Sequence, residues 1–307
     1  MANNVINHAE KYNDELLEIF ADNSYVAPFI ADNVKWIDGK TFHFTSMQVG
    51  GYKNHSIEGG WNRQSIEQND HPFTVEQDRD VEFFVDKREV DESNQTASIE
   101  NISNTFEVTQ ATPEKDAYFF SKVATKAVEA NRASNTALAD YTVENVFTKL
   151  VEHIAKSKRY RTKGLVVYVR PEIMDKLALS KELSKSIDTT ALTSNEEGKA
   201  IETRITRING TPIVEVIDDD RFYSVFNFSD GFVPGDGAKR INILSATPLT
   251  TKMVSKISSI YMFAPGQHTE GDGYLYQNRA HYDTFLFPNG KDGKIDSVYV
   301  DLDTATV

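Results

Sequence analysis

Few residues in this chain could do chemistry. The seven histidines, His8, His43, His55, His71, His153, His268 and His281, are scattered along it. One short stretch, His281-Tyr282-Asp283, sets two potential metal ligands close together, because residues two apart in a strand share a face. That spacing allows a metal-assisted hydrolase with His281 and Asp283 as ligands, but a structural His–Asp contact in a strand is the preferred reading of so short a match. Asp218-Asp219-Asp220, Gly235-Asp236-Gly237 and Gly271-Asp272-Gly273 offer oxygens to Ca²⁺. None has the spaced acidic pattern of a calcium hand, and Asp with Gly is ordinary turn chemistry. HExxH, a phosphate loop, GxSxG and GxGxxG are all missing. With 0 cysteines, disulfides, thiolate metal sites and Cys nucleophiles are excluded. The sequence therefore nominates no catalytic, cofactor-binding or metal residue. What it offers is contact: Lys53, Trp61 and Arg63 lie in a glycine-rich stretch, and an exposed Trp with an Arg is a usual interface anchor. The alternative there is a tip folded back on itself.

Composition narrows the function further. The 307 residues can bury a sizeable core in one large or two medium domains. Lys plus Arg number 33 against 46 Asp plus Glu, a formal charge of −13. A specific nucleic-acid reader carries a basic footprint, so sequence-reading of DNA is disfavoured. The N-terminus lacks a basic start followed by an apolar run, and Leu165–Val169 is far too short to span a bilayer, which implies a soluble, cytoplasmically made chain.

The elements that would position these residues are legible as periods. Asn7–Phe20 carries a short amphipathic pattern. Thr41–Asp86 changes to period two, with Phe73, Val75, Val81, Phe83 and Val85 on one parity, and predicts two strands of a long hairpin. From Asp91 to Arg132 a stripe of Ile99, Ile102, Phe106, Pro113, Ala117, Phe120, Ala124 and Ala127 follows helical spacing, with one turn skipped at Thr109. Pro113 would either bend one long helix or begin a second one capped by Thr112. Leu138–Lys158, with Val143, Val146, Phe147, Leu150 and Ile154 at helical spacing, predicts a further helix, Leu165–Val169 a buried strand, and Pro171–Ser180 a helix with proline first. Lys181–Lys199 reads as a surface loop, Asn209-Gly210 as a tight turn, and Lys252–Val300 as strand-rich. The class is α+β without internal repeats.

This order of elements resembles the major capsid proteins of tailed bacteriophages, the Hong Kong 97-type fold. The helix ATPEKDAYFFSKVATKA, the block GLVVYVRPEIMDKLALS, the hairpin INGTPIVEV and the tail YQNRAHYDTFLFPNGKDGKIDSVYV are similar to stretches in capsid proteins from phages of Gram-positive hosts. The resemblance implies an N-terminal arm (1–37), an extended loop across a neighbour (38–90) and a spine helix of a peripheral domain (91–133). It further implies an axial domain (134–248), with Lys181–Lys199 as its tip, and returning peripheral strands (249–307). The implied function is structural: hexamers and pentamers closing an icosahedral shell around double-stranded DNA, assembled in the host cytoplasm and found in the virion. Partners would be further copies, a portal and a separate scaffolding protein, since only about forty residues precede the hairpin and the chain begins at Met1. An encapsulin-type nanocompartment shell is the alternative within the fold. Some family members cross-link a loop lysine; Lys53 lies in that region, but no Asn partner is identifiable. With the shell architecture in view, Pro113 is expected to mark a bend in one continuous helix, and straightening there is expected to accompany maturation.

Overall fold

The computed structural model describes residues 24–31, 41–49, 54, 61, 63, 66–88, 99–180, 205–229, 231–269, 271–288 and 294–306. The expected helix at Asn7–Phe20, the loop Lys181–Lys199, the first turns of the helix before Ile99, and Lys53 lie outside them.

The longest helical run spans α1 (Ile99–Phe106), a π-turn (Glu107–Ala111) and α2 (Thr112–Glu129). Phe106, Ala111 and Thr112 all keep right-handed helical φ and ψ, so no extended linker separates the two helices. Thr112 makes no capping hydrogen bond through its side chain. Its backbone N–H instead donates to the Glu107 carbonyl, five residues back. The reason lies next door. Pro113 has no N–H, and its ring would strike the carbonyl four residues earlier, that of Thr109. A π-turn at that point widens the coil and absorbs the conflict. The hydroxyls of Thr105 and Thr109 also donate to carbonyls four residues back, both at 2.7 Å.

Around this run, among the described residues, stand thirteen strands. β1 (Thr41–Val49) and β2 (Ile66–Thr74) pair in nine-residue register as a two-stranded ribbon. β3 (Gln77–Asp86), β11 (Thr251–Phe263) and β12 (Gly273–Leu286) form a three-stranded antiparallel sheet with β12 central. A six-stranded mixed sheet has the order β4 (Ala133–Asn135), β13 (Tyr299–Thr306), β10 (Lys239–Ala246), β5 (Val166–Val169), β7 (Thr211–Glu215), β6 (Ile205–Ile208). β8 (Phe226–Asn227) and β9 (Val233–Pro234) are a small pair beside α2. Two further helices, α3 (Val146–Lys156) and α4 (Pro171–Ala178), complete the set.

The apolar run at β5 is explained by its position. Val166 and Tyr168 face α2 in one core; Val167 and Val169 face α3 and α4 in another. A strand covered on both faces needs no polar alternation. In the first core Phe120 packs edge-on to Tyr168 and Phe222, at 5.1 and 4.9 Å between centroids. Each fully buried ring of this kind contributes up to about 3 kcal/mol. Val26 and Phe29 of the arm are fully buried in the same core, so this part of the arm packs on its own chain.

One expectation needs correction. The hairpin ends at Thr74, not Asp86: β3 leaves the ribbon and pairs with β12 along its whole length, from Gly273↔Asp86 to Tyr282↔Gln77. Buried Val75 and Val85 hold it in the body of the protein. β13 pairs with β10 and β4 in the six-stranded sheet, where Val300 and Leu302 are core residues. Asn209 and Gly210 both take positive φ, 52° and 79°, in the tight turn joining β6 to β7.

Gly273 opens β12 where the chain passes closest to β3. A Cβ there would lie 2.4 Å from the Val85 carbonyl oxygen and 2.7 Å from the Phe84 ring. Gly273→Ala is expected to destabilise the protein by about 2–3 kcal/mol in thermal or urea unfolding; a loss below about 0.5 kcal/mol would show that this contact relaxes freely.

Candidate functional site

The residues nominated from sequence do not converge. Trp61 is 94% exposed, and Arg63 is exposed as well. His281 Nδ1 lies 3.3 Å from Asp78 of β3, while the Asp283 carboxylate is occupied elsewhere. Asp218 and Asp219 pair with Arg221 and Arg240 at 2.7 and 3.1 Å, as structural ion pairs around a short turn. No cluster of three metal-ligating side chains occurs among the described residues. Pro113 is buried in the first turn of α2.

What the structure brings together is a row of ionisable groups along α2. Asp116 is fully buried, accepting from Ser24 Oγ (2.5 Å), the Tyr25 N–H (3.1 Å) and Arg221 (3.2 Å). One carboxylate thereby ties the arm and the Asp219–Arg221 turn to the helix. Two residues earlier, Glu114 takes a bidentate bond from Arg79 of β3 (2.8 and 3.2 Å) and a hydroxyl from Tyr282 of β12 (2.5 Å). Arg79 also donates to the Phe228 carbonyl at 2.5 Å. One turn on, Tyr118 donates to Asp283 (2.9 Å), and Lys122 bonds Glu76 (2.6 Å) while lying 3.7 Å from Asp283. Asp283 accepts the Glu76 N–H as well, at the point where the chain leaves the ribbon. Behind them Lys115 reaches back across the π-turn to Glu107 at 2.8 Å, and both side chains are under 5% exposed.

Burial governs the titration of this row. It raises the Asp116 carboxyl against the opposing pull of Arg221, and raises Asp283 against Lys122. It also pushes the Tyr118 and Tyr282 hydroxyls above the ordinary phenol range, with the carboxylates they serve adding to the effect. For Lys122 burial pulls downward, but the bond to Glu76 and the charge of Asp283 outweigh it, and the net shift is upward. A cavity of about 280 Å³ lies beside the π-turn, lined by Arg79, Phe106, Glu107, Glu114, Lys115 and Asn278 among others. Arg79 and Glu114, and Lys115 and Glu107, pair across its wall, which suits the site to holding elements in place.

A second polar centre lies on the far side of the six-stranded sheet. Asp301 of β13 accepts from Ser134, Thr136, Tyr141 and Asn242, at 2.6, 2.8, 2.7 and 3.1 Å. With both oxygens satisfied, this carboxylate fastens β4 and the segment before α3 to β13. Beside it His153 is buried edge-on against Tyr299, 5.0 Å between centroids.

Sequence reasoning missed both centres. Charged residues at 114, 115, 116 and 122 carry the signal of a solvated helix face.

No protein-family model matches the chain, and no curated protein matches it. Among solved structures it is similar to the asymmetric unit of the bacteriophage PhiM1 mature capsid, at 12% identity and TM-score 0.60, covering 93% of this chain and 88% of that one. It is likewise similar to the capsid of cyanophage P-SCSP1u, at 12% identity and TM-score 0.54, covering 88% and 85%. A chain of Mycobacterium phage Bobi matches at 13% identity and TM-score 0.56, covering 92% and 90%. The chain shares the fold of phage capsid subunits, over nearly its full described length. No described helix is long and apolar enough to cross a membrane.

Two outcomes test these centres. Arg79→Met should cost about 3 kcal/mol, because it strands Glu114, whereas adding Glu114→Gln should recover part of that loss. A double variant no better than Arg79→Met alone would show that the pair is uncoupled. Burial pushes the His153 ring down to about 4. The unfolded chain then takes up this proton first, near pH 6.5, so stability is full above that value and falls between about 6.5 and 4. The loss attributable to His153 should approach about 3 kcal/mol, and His153→Gln should flatten that part of the profile in urea titrations. An unchanged profile would place the acid sensitivity elsewhere.

Proposed function

We propose that this chain is a major capsid protein of a tailed phage, with the Hong Kong 97-type fold. It is a structural subunit, not an enzyme. In this reading it forms hexamers and pentamers of an icosahedral shell that encloses double-stranded DNA, assembles in the host cytoplasm and resides in the virion. Further copies, a scaffolding protein and a portal are its partners.

The observation that carries the reading is the ribbon. β1 and β2 pair through nine residues with each other and, among the described residues, with no other strand. A two-stranded ribbon is marginal in water and its edges invite pairing. Its far end carries Trp61 and Arg63, both exposed, the two residue types most often found as interface anchors. A subunit that spends so much chain on a ribbon with no third strand among the described residues gains from it when a neighbour lies beneath. The shared fold with phage capsid subunits supports the same conclusion. In this reading residues 1–37 are the arm, the ribbon with its tip is the extended loop, and Pro113 marks where the long helix flexes during maturation.

Negative-stain microscopy of the purified chain tests this directly. Closed shells or five- and six-membered rings are expected, and Trp61→Ala with Arg63→Ala should cut their yield severalfold without shifting the unfolding midpoint. A stable monomer with measurable turnover would overturn the reading. Shells that copurify with an enzyme cargo instead of duplex DNA would assign the chain to a nanocompartment.

A further inference from the structure

We infer that the turn after α3 is a contact for the phosphate backbone of duplex DNA. The inference rests on the shell reading above and deepens it by naming the surface of the subunit that meets the enclosed polymer.

Lys156, Lys158, Arg159, Arg161 and Lys163 fall within eight residues without an intervening acid, in a chain of net charge −13. Lys156, Lys158, Arg159 and Lys163 are exposed, and Arg161 is half-buried. Of the five, Arg159 has a carboxylate partner, Asp296 at 2.7 Å. Lys156 stands over the Tyr299 ring at 5.9 Å. Lys158, Arg161 and Lys163 have no acidic partner among the described residues. The chain carries 46 acids against 33 bases, yet among the described residues Arg159 alone of these five pairs with a carboxylate, that of Asp296.

The turn is also held rigidly. Tyr160 at its centre is buried, and its hydroxyl donates to Asp296. Arg132 donates to the Lys156 carbonyl at 2.7 Å, and Thr247 donates to the Lys163 carbonyl at 2.8 Å. The cations are therefore presented from an ordered frame, with less ordering left to be done on binding.

The chemistry favours phosphate over a protein partner. A protein interface has an apolar centre and is depleted in lysine. Between Lys156 and Lys163 the sole large apolar side chain, Tyr160, faces inward. Lysines and arginines without apolar neighbours match a phosphate backbone, which they position without reading bases. The contact is local; the net charge of −13 opposes spreading of the polymer over the rest of the subunit.

The test is fluorescence anisotropy of the full chain with a random-sequence duplex of about 30 base pairs across a salt series. The variant Lys158→Ala/Arg161→Ala/Lys163→Ala should weaken binding at least tenfold at about 50 mM salt and lower the log–log salt slope by about 2 to 3. Its unfolding midpoint should stay at the parent value. Equal affinity and slope in parent and variant, or a parent that does not bind, would overturn the inference. So would polyglutamate that displaces the duplex at matching concentration, which would make protein carboxylates the partner. Microscopy of the same parent sample separates the two claims: shells without the DNA effect sink the inference alone, and the absence of shells sinks the reading beneath it.

Discussion

A helix that buries charge obliges other parts of the chain to bring the opposite charge to it. In α2, Glu114, Lys115 and Asp116 are consecutive, and the side chains of Lys115 and Asp116 are under 5% exposed. A buried charge without its partner costs about 3–5 kcal/mol, against a total stability of about 5–15 kcal/mol for a domain. The partners are therefore not optional. Asp116 requires Ser24 and Arg221, Glu114 requires Arg79 and Tyr282, and Asp283 requires Tyr118 and Lys122. The arm, β3, β12 and the Asp219–Arg221 turn are thus referred to a single helix. Apolar burial alone would hold these pieces together without fixing their angles, because it is non-directional. Bidentate and charge-assisted bonds add the direction.

Much of this frame could be read from the sequence, and the remainder was hidden for definite reasons. The stripe Ala117, Phe120, Ala124, Ala127 is fully buried, and its skipped turn at Thr109 falls within the π-turn. Both follow from helical spacing and one proline. The apolar run at Leu165–Val169 and the Asn209-Gly210 turn were equally plain. The end of the hairpin was not. Phe73, Val75, Val81, Phe83 and Val85 keep one parity from β2 into β3, and alternation reports which side of a strand is buried, not which strand it pairs with. The pairing of β13 with β10 and β4 is likewise a long-range fact that alternation does not report. The charge row escaped because α2 is buried nearly all round, a condition that no local pattern signals when Thr112, Lys115, Asp116 and Ser121 are among the buried residues.

The rigidity of the centre contrasts with the ribbon that leaves it. Glu76 sits at the exit, its N–H held by Asp283 and its carboxylate by Lys122. The ribbon's base is consequently fixed to α2 through the same two residues that tie α2 to β12. Beyond Thr74 toward its tip the ribbon has its own cross-strand bonds and no third strand among those described. A shift of α2 relative to the three-stranded sheet would move the ribbon as a lever, since the anchor is short and the arm is nine residue pairs long. Coupling of this kind needs a two-state element. The π-turn, which already departs from α-helical bonding beside a cavity, is the place in the helix where a second arrangement costs least.

The same pairing of charges explains why His281 and Asp283 do not converge on a metal ion in this fold. A hydrolytic metal site needs ligands with open lone pairs facing one point. Asp283 accepts from Tyr118, Glu76 and Thr284 and faces Lys122, a cation that would repel a metal ion. His281 turns to Asp78, which Arg279 also grips with two bonds at 2.8 and 2.6 Å. His281 and Asp283 are thereby committed to joining β12 to β3 and β12 to α2.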